Sequence, residues 1–133
     1  MAKRALVTGA TGCVGANIVE ALAARGYEVR ALRRTTSRLD ALAGLDPEYA
    51  TGDVLDEASL SAAMTGCDLV FHAAAVSQYW RNKPEEIYAA NVDGTRNVLR
   101  AASAQGVQRV VFTSSVAALG VPTRRGQLLD ESA

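Results

Sequence analysis

The chain has 133 residues, enough for one domain and one core. Hydrophobic residues make up 49% and charged residues 21%, and 14 basic residues offset 14 acidic ones. That balance excludes a general binder of nucleic acid or anionic membrane, and no apolar run is long enough to span a bilayer.

Residues 4–8 predict a first strand, with Ala5-Leu6-Val7 buried. Gly9, Gly12 and Gly15 follow at a spacing of three. Residues 13–25 predict an amphipathic helix with Val14, Ile18, Ala21 and Leu22 on one face, closed by Gly26. Tyr27–Leu32 reads as the second strand and 37–43 as a short helix with Leu39 and Leu42 inward. Glu48–Thr51 is a brief third strand. Asp56 caps a helix through Met64 that turns Leu60, Ala63 and Met64 inward, and Gly66 ends it. Leu69–Ala73 is the fourth strand. A long helix covers Glu85–Ala104 and stops at Gly106. Arg109–Thr113 is the fifth strand, and 120–133 reads as loop.

Strands that alternate with helices pair in parallel through right-handed crossovers. The expected fold is therefore α/β: a doubly wound, three-layer αβα Rossmann sandwich of order 3-2-1-4-5, filling residues 1–133. In such a sheet the ligand sits at the carboxyl rim, where the strand order reverses.

Strand, glycine turn and helix, in that order, make a dinucleotide site. The helix start presents unpaired N–H groups and a partial positive charge that suit a pyrophosphate. Gly9 takes the positive φ of a tight turn, Gly12 has no Cβ to block the phosphates, and Gly15 lets the helix press on the sheet. Gly9, Ala10, Thr11, Gly12, Cys13, Val14 and Gly15 are thus cofactor-binding candidates. The competing reading is a strand-to-helix turn with no ligand.

The second strand ends in Leu32-Arg33-Arg34. Arg33 falls 24 positions after Gly9, where an NAD site carries an acid for the adenosine ribose. No carboxylate lies between Arg30 and Arg38. A guanidinium forks onto a ribose 2′-phosphate, so Arg33 and Arg34, with Arg38 in support, point to NADP over NAD; a solvated basic edge is the alternative. Asp53 can accept from the adenine amino group and Val54 can pack on the ring, unless Asp53 only caps a turn. Ala73, Ala74 and Ala75 let the backbone approach a flat ligand. His72, the one histidine, reads as hydrogen-bonded structure at a strand end rather than as a catalyst.

Five motifs occur in register: Thr8-Gly9-Ala10-Thr11-Gly12-Cys13-Val14-Gly15, Gly52-Asp53-Val54, His72-Ala73-Ala74-Ala75, Asn91-Val92-Asp93-Gly94-Thr95 and Val111-Phe112-Thr113-Ser114-Ser115. Together they resemble the N-terminal part of an extended short-chain dehydrogenase/reductase, the NAD-dependent epimerase/dehydratase superfamily. Within it the chain is similar to dihydroflavonol-4-reductase-like proteins and hopanoid-associated sugar epimerases. The resemblance implies that Ser115 is the catalytic serine orienting a substrate oxygen. It also implies that Thr113 and Ser114 stand beside the cofactor and that Asn91 helps hold it. Asn91 shares a helical face with Ile87, Thr95 and Val98, and its buried amide needs partners, which backbone groups alone could provide.

The family's Tyr-x-x-x-Lys proton donor, expected after the serine, has no match. Tyr27, Tyr49, Tyr79 and Tyr88 all precede Ser115, and the Tyr79–Lys83 spacing is a coincidence of loop sequence. The chain therefore reads as the cofactor-binding half of an NADP-dependent oxidoreductase or epimerase acting on a carbinol or carbonyl substrate. It is truncated after the fifth strand, without the C-terminal substrate-binding region, and inactive alone. A non-catalytic dinucleotide-binding module is the alternative. The expected partners are the dinucleotide, a small-molecule substrate in the parent and a second copy at the open sheet edge; nucleic acid and membrane are not expected. Cys13 and Cys67 have no metal-ligand spacing and read as reduced thiols. Met1-Ala2-Lys3-Arg4 carries no cleavable-signal pattern, so a cytoplasmic location is expected.

Overall fold

Five parallel strands form one sheet in the order β3-β2-β1-β4-β5. In this computed structural model they are β1 (Arg4–Thr8), β2 (Glu28–Arg33), β3 (Glu48–Thr51), β4 (Leu69–His72) and β5 (Arg109–Phe112). The structure describes residues 1–132; Ala133, the last residue of the expected domain and of its loop-like tail, lies outside the described residues. The helices are α1 (Cys13–Ala23), α2 (Glu57–Met64), α3 (Pro84–Tyr88) and α4 (Gly94–Ala104).

Alternation along the strands splits the core between the two faces of the sheet. Ala5, Val7, Val29 and Ala31 pack with Val19 and Leu22 of α1 and with Leu42. Leu6, Leu32 and Val70 point the other way, onto Leu60 and Met64 of α2 and Val98 and Ala101 of α4. The expected three-layer architecture and strand order are both present. Among the described residues no helix is long and apolar enough to cross a membrane.

Local chemistry accounts for most element ends. Gly26 takes φ 78 after α1, and Tyr27 N–H donates to Leu22 C=O, closing the last turn. Asp56 Oδ1 accepts from Ala58 N–H at 3.1 Å and from Ser59 N–H at 3.2 Å, which caps α2 as its position predicted. Arg30, buried on β2, donates to the Ala63 and Thr65 carbonyls at the far end of the same helix.

Four expectations need correction. The inner face of α1 is Gly15, Ala16, Val19 and Leu22, while Val14 is exposed. Side-chain bulk suggested the Val14 stripe, but close approach decides: a Cβ on Gly15 would collide with the Gly9 carbonyl. The short helix expected over 37–43 is one 3₁₀ turn, Asp40–Leu42, with Leu42 buried. The fourth and fifth strands stop at His72 and Phe112, one residue early, and the second is shifted to Glu28–Arg33. The long helix is not continuous. A π turn over Ala89–Asp93 separates α3 from α4, marked by Gly94 N–H donating to Ala89 C=O five residues back. Among the described residues no strand pairs with the outer edge of β5, where Val111 and Phe112 are exposed.

Candidate functional site

A cleft of about 320 Å³ opens at the carboxyl rim of the sheet. Its floor is the glycine turn, with Gly9, Thr11 and Gly12. One wall is the end of β2 and the loop after β3: Leu32, Arg33, Arg34, Ser37 and Gly52–Leu55. The other is Ala73, Ala74, Ala75 and Val76 after β4, with Ala90 of the π turn. The cleft straddles β1, where the strand order reverses.

The glycine turn is built by two close contacts. Gly9 sits at φ 68, and a Cβ there would lie 2.6 Å from Ala74 N. Gly15 is pressed on the Gly9 backbone. Gly12 differs: its φ is −92, and a Cβ would meet only Gly9 O at 3.4 Å. The fold therefore requires glycine at 9 and 15 but not at 12. Gly12 is the N-cap of α1, and among the described residues no side chain caps this end and no acid occupies the first turn. The first-turn N–H groups thus lack an intrahelical partner and face the cleft floor.

Two arginines stand on the β2 wall. Arg33 lies over the Tyr49 ring, its guanidinium carbon 5.8 Å from the centroid. Its Nε is buried and has no hydrogen-bond partner among the described residues. Arg34 is exposed beyond a tight turn in which its N–H donates to Ser37 Oγ at 3.0 Å. Arg38, the expected support, is engaged with Asp40 at 2.8 Å in an exposed ion pair outside the cleft. Asp53 lines the cleft, and its Oδ1 accepts from Leu55 N–H at 2.9 Å, so it also stabilises its own turn.

His72 is fully buried behind this floor and bonded at both ring nitrogens. Ala74 N–H donates to Thr8 Oγ1 at 3.3 Å, and the Thr8 hydroxyl meets His72 Nδ1 at 2.6 Å. His72 Nε2 meets Thr95 Oγ1 at 2.9 Å, and the Thr95 hydroxyl donates to Asn91 C=O at 2.7 Å. Since Thr95 spends its one proton on Asn91, its oxygen accepts from Nε2–H and leaves Nδ1 to accept from Thr8. The Asn91 side chain completes the relay: Val76 N–H donates to Oδ1 at 2.7 Å and Nδ2 donates to Val76 C=O at 3.0 Å. Backbone groups alone satisfy this amide. The ring also stacks on Phe112 with centroids 5.5 Å apart. Burial pushes the His72 pKa down to about 4 from its ordinary 6.5.

Ten of the predicted cofactor residues meet in the cleft: Gly9, Thr11, Gly12, Arg33, Arg34, Asp53, Val54, Ala73, Ala74 and Ala75. Gly15 acts from beneath, and Ala10 is fully buried, so only its backbone bears on the site. Cys13 and Val14 open α1 but are exposed beside the cleft, not in its lining. Asn91 stands one bond behind it. Thr113, Ser114 and Ser115 are exposed past β5 and are not brought into the lining. Ser115 Oγ accepts from Ala117 N–H at 3.2 Å and caps a 3₁₀ turn, Val116–Leu119. Leu32, Ser37, Gly52, Leu55, Val76 and Ala90 line the cleft without having been singled out. Their signal was adjacency to residues that were. Among the described residues there is no group of three or more metal-ligating side chains.

The model of the NAD dependent epimerase/dehydratase family matches residues 5–133. The chain belongs to that family. It is 46% identical over 116 residues to a sterol demethylase protein B from Methylococcus capsulatus, covering 87% of this chain and 35% of the relative. It is 43% identical over 135 residues to cinnamoyl-CoA reductase 1 from Oryza sativa subsp. japonica, covering 95% of this chain and 39% of the relative. Among solved structures, a UDP-glucose 4-epimerase from Brucella ovis in complex with NAD superimposes with a TM-score of 0.81 at 32% identity, covering 93% of this chain and 39% of that one. The chain thus spans well under half the length of the proteins it matches.

The relay carries a pH prediction. The folded state holds His72 neutral down to about pH 4, whereas the unfolded chain protonates it near 6.5. Between those values the unfolded state binds the extra proton, so stability rises with pH through the window and is lost as pH falls through it. Urea denaturation of the wild type against His72→Gln from pH 7 to pH 4 should show the difference between them shrinking by about 3 kcal/mol. Parallel curves for the two proteins would show that His72 titrates alike folded and unfolded.

Proposed function

We propose that the cleft binds a dinucleotide cofactor, NADP in preference to NAD, as the cofactor-binding part of a reductase or epimerase that works at a carbinol or carbonyl carbon. One observation carries the reading. An uncapped helix start at the floor and the cationic Arg33 and Arg34 on the wall border one cleft. A phosphate-rich anion supplies acceptors to both. Residues 9–14 would hold the pyrophosphate, Leu32 and Val54 the adenine, and Ala73–Val76 the nicotinamide side.

NADP is preferred because the end of β2 offers cations and no carboxylate. Stacking on Tyr49 holds the Arg33 guanidinium, and Arg34 is exposed beside it to receive the 2′-phosphate. Each charge-assisted bond is worth about 1.5–3 kcal/mol. The epimerase from Brucella ovis was solved with NAD, so the preference rests on these side chains.

A nicotinamide held in the cleft would supply a hydride acceptor for a carbinol carbon or a hydride donor for a carbonyl carbon. This chain's part is to hold that ring against the β4 loop and to orient the substrate oxygen through Ser115, once a substrate recruits the serine from its turn. In the 133 residues every tyrosine precedes Ser115. A missing general acid costs typically 10²–10⁴-fold in rate, so these residues alone turn over little. Cys13 and Cys67, both unpaired, fit the reducing conditions of a cytoplasmic protein.

Two variants test the reading by calorimetric titration. Gly12→Ala leaves the fold intact, because its Cβ meets nothing closer than 3.4 Å, and should weaken NADP at least tenfold with an unchanged melting temperature. Undiminished affinity would move the pyrophosphate elsewhere. Replacing Arg33 and Arg34 together by Ala should weaken NADP by one to two orders of magnitude and NAD only slightly; equal loss for both would refute the NADP preference.

A further inference from the structure

The helix that carries Asn91 touches both walls of the cleft, through different residues. Asn91 binds both backbone groups of Val76, on the β4 wall. Six residues on, Asn97 Nδ2 donates to Val54 C=O at 3.1 Å, on the β3 wall. Gly94 lies directly under that wall: a Cβ there would meet Val54 Cγ2 at 2.8 Å. Asn91 lies within the π turn, and Asn97 follows it on α4. The turn's extra residue shifts the phase of everything after it by about 100°. One helix can thereby present one amide to each wall.

The β3 wall is held from several sides. Gly52 N–H donates to Arg33 C=O, Asp53 N–H to Ser59 Oγ, and Leu55 N–H to Asp53 Oδ1. These bonds tie the loop to β2, to α2 and to itself. The bond from Asn97 ties it to α4, and it acts on Val54, a residue of the cleft lining.

We propose that Asn97, with Gly94 beneath it, is a positioning residue for the adenosine side of the cleft. It sets the distance of the Val54 wall from Leu32, as Asn91 sets the opposite wall. The proposal rests on the dinucleotide reading above. Loss of Asn97 frees the Val54 carbonyl to turn to water and lets the wall drift, while the β4 wall stays where Asn91 holds it. Gly94→Ala reaches the same wall from below, pushing Val54 without touching the amide.

The experiment is a titration of the 133-residue chain with ADP and, separately, with nicotinamide mononucleotide. Wild type should bind both. Asn97→Ala and Gly94→Ala should each weaken ADP about fivefold, the scale of one hydrogen bond, and leave the mononucleotide unchanged. Asn91→Ala should show the opposite selectivity. Loss of both ligands in equal proportion, or of neither, in the Asn97 and Gly94 variants would overturn the proposal. Wild type that binds neither ligand would instead overturn the dinucleotide reading, and the proposal with it. A measurement on wild type guards against variants that fail to fold: ADP should shift the Asn97 side-chain amide resonance and the mononucleotide should not. Equal shifts would contradict a role confined to the adenosine side.

Discussion

The contact between Gly15 and the Gly9 backbone is the constraint on which the site depends. It brings the start of α1 against the end of β1, closer than any side chain permits. Because Gly9 is itself pressed on the Ala73–Ala74 peptide, the same contact aligns the helix start with the loop after β4. Floor and wall of the cleft are therefore one unit, assembled from two segments far apart in sequence, residues 9–15 and Ala73–Ala74. The uncapped amides of α1 are a consequence. A helix entering at this angle through glycine has no side chain at Gly12 to satisfy them.

Behind that floor the hydrogen-bond relay extends the same logic. Thr8 ends β1, His72 ends β4, and Thr95 and Asn91 belong to the helix that covers them. Each member spends its donors and acceptors on the next, from Ala74 N–H to the Val76 backbone. Neutral His72 suits this arrangement, since its two nitrogens do opposite work. A buried network with every member satisfied rigidifies what it touches, and here it touches both ends of the Ala74–Val76 loop. The histidine thus shapes the site from behind its floor, outside the cleft lining. Arg33 is the opposite case: it stands in the cleft lining itself, over the Tyr49 ring.

Short-range chemistry was legible in the sequence. The glycine spacing, the Asp56 cap and the alternation of strand and helix led to the observed sheet order and to ten residues of the cleft. What escaped was set by distant partners. Nothing in Ala89-Ala90-Asn91-Val92-Asp93 signals a π turn, because Asn91 and Thr95 meet Val76 and His72, 15 and 23 residues away in sequence. The inner face of α1 was misread because a search for bulky apolar residues overlooks Gly15 and Ala16. Arg38 drew attention as part of a basic run, but Asp40, two residues on, engages it. Asp53 caps its turn, as one of its two readings had it, and it also lines the cleft. The position of Ser115 in this structure follows its nearest N–H, that of Ala117, rather than the substrate role that family resemblance gives it.

The central claim is that a phosphate-bearing dinucleotide rests on the start of α1 and is gripped from the end of β2. Amide correlation spectra of the labelled chain, recorded during titration with NADP, test it most directly. The account predicts the largest shifts at residues 9–14, with a second cluster at Arg33–Arg34 and Gly52–Leu55 and a third at Ala73–Val76. Saturable shifts confined to other surfaces, or spectra unchanged at millimolar NADP, would contradict it.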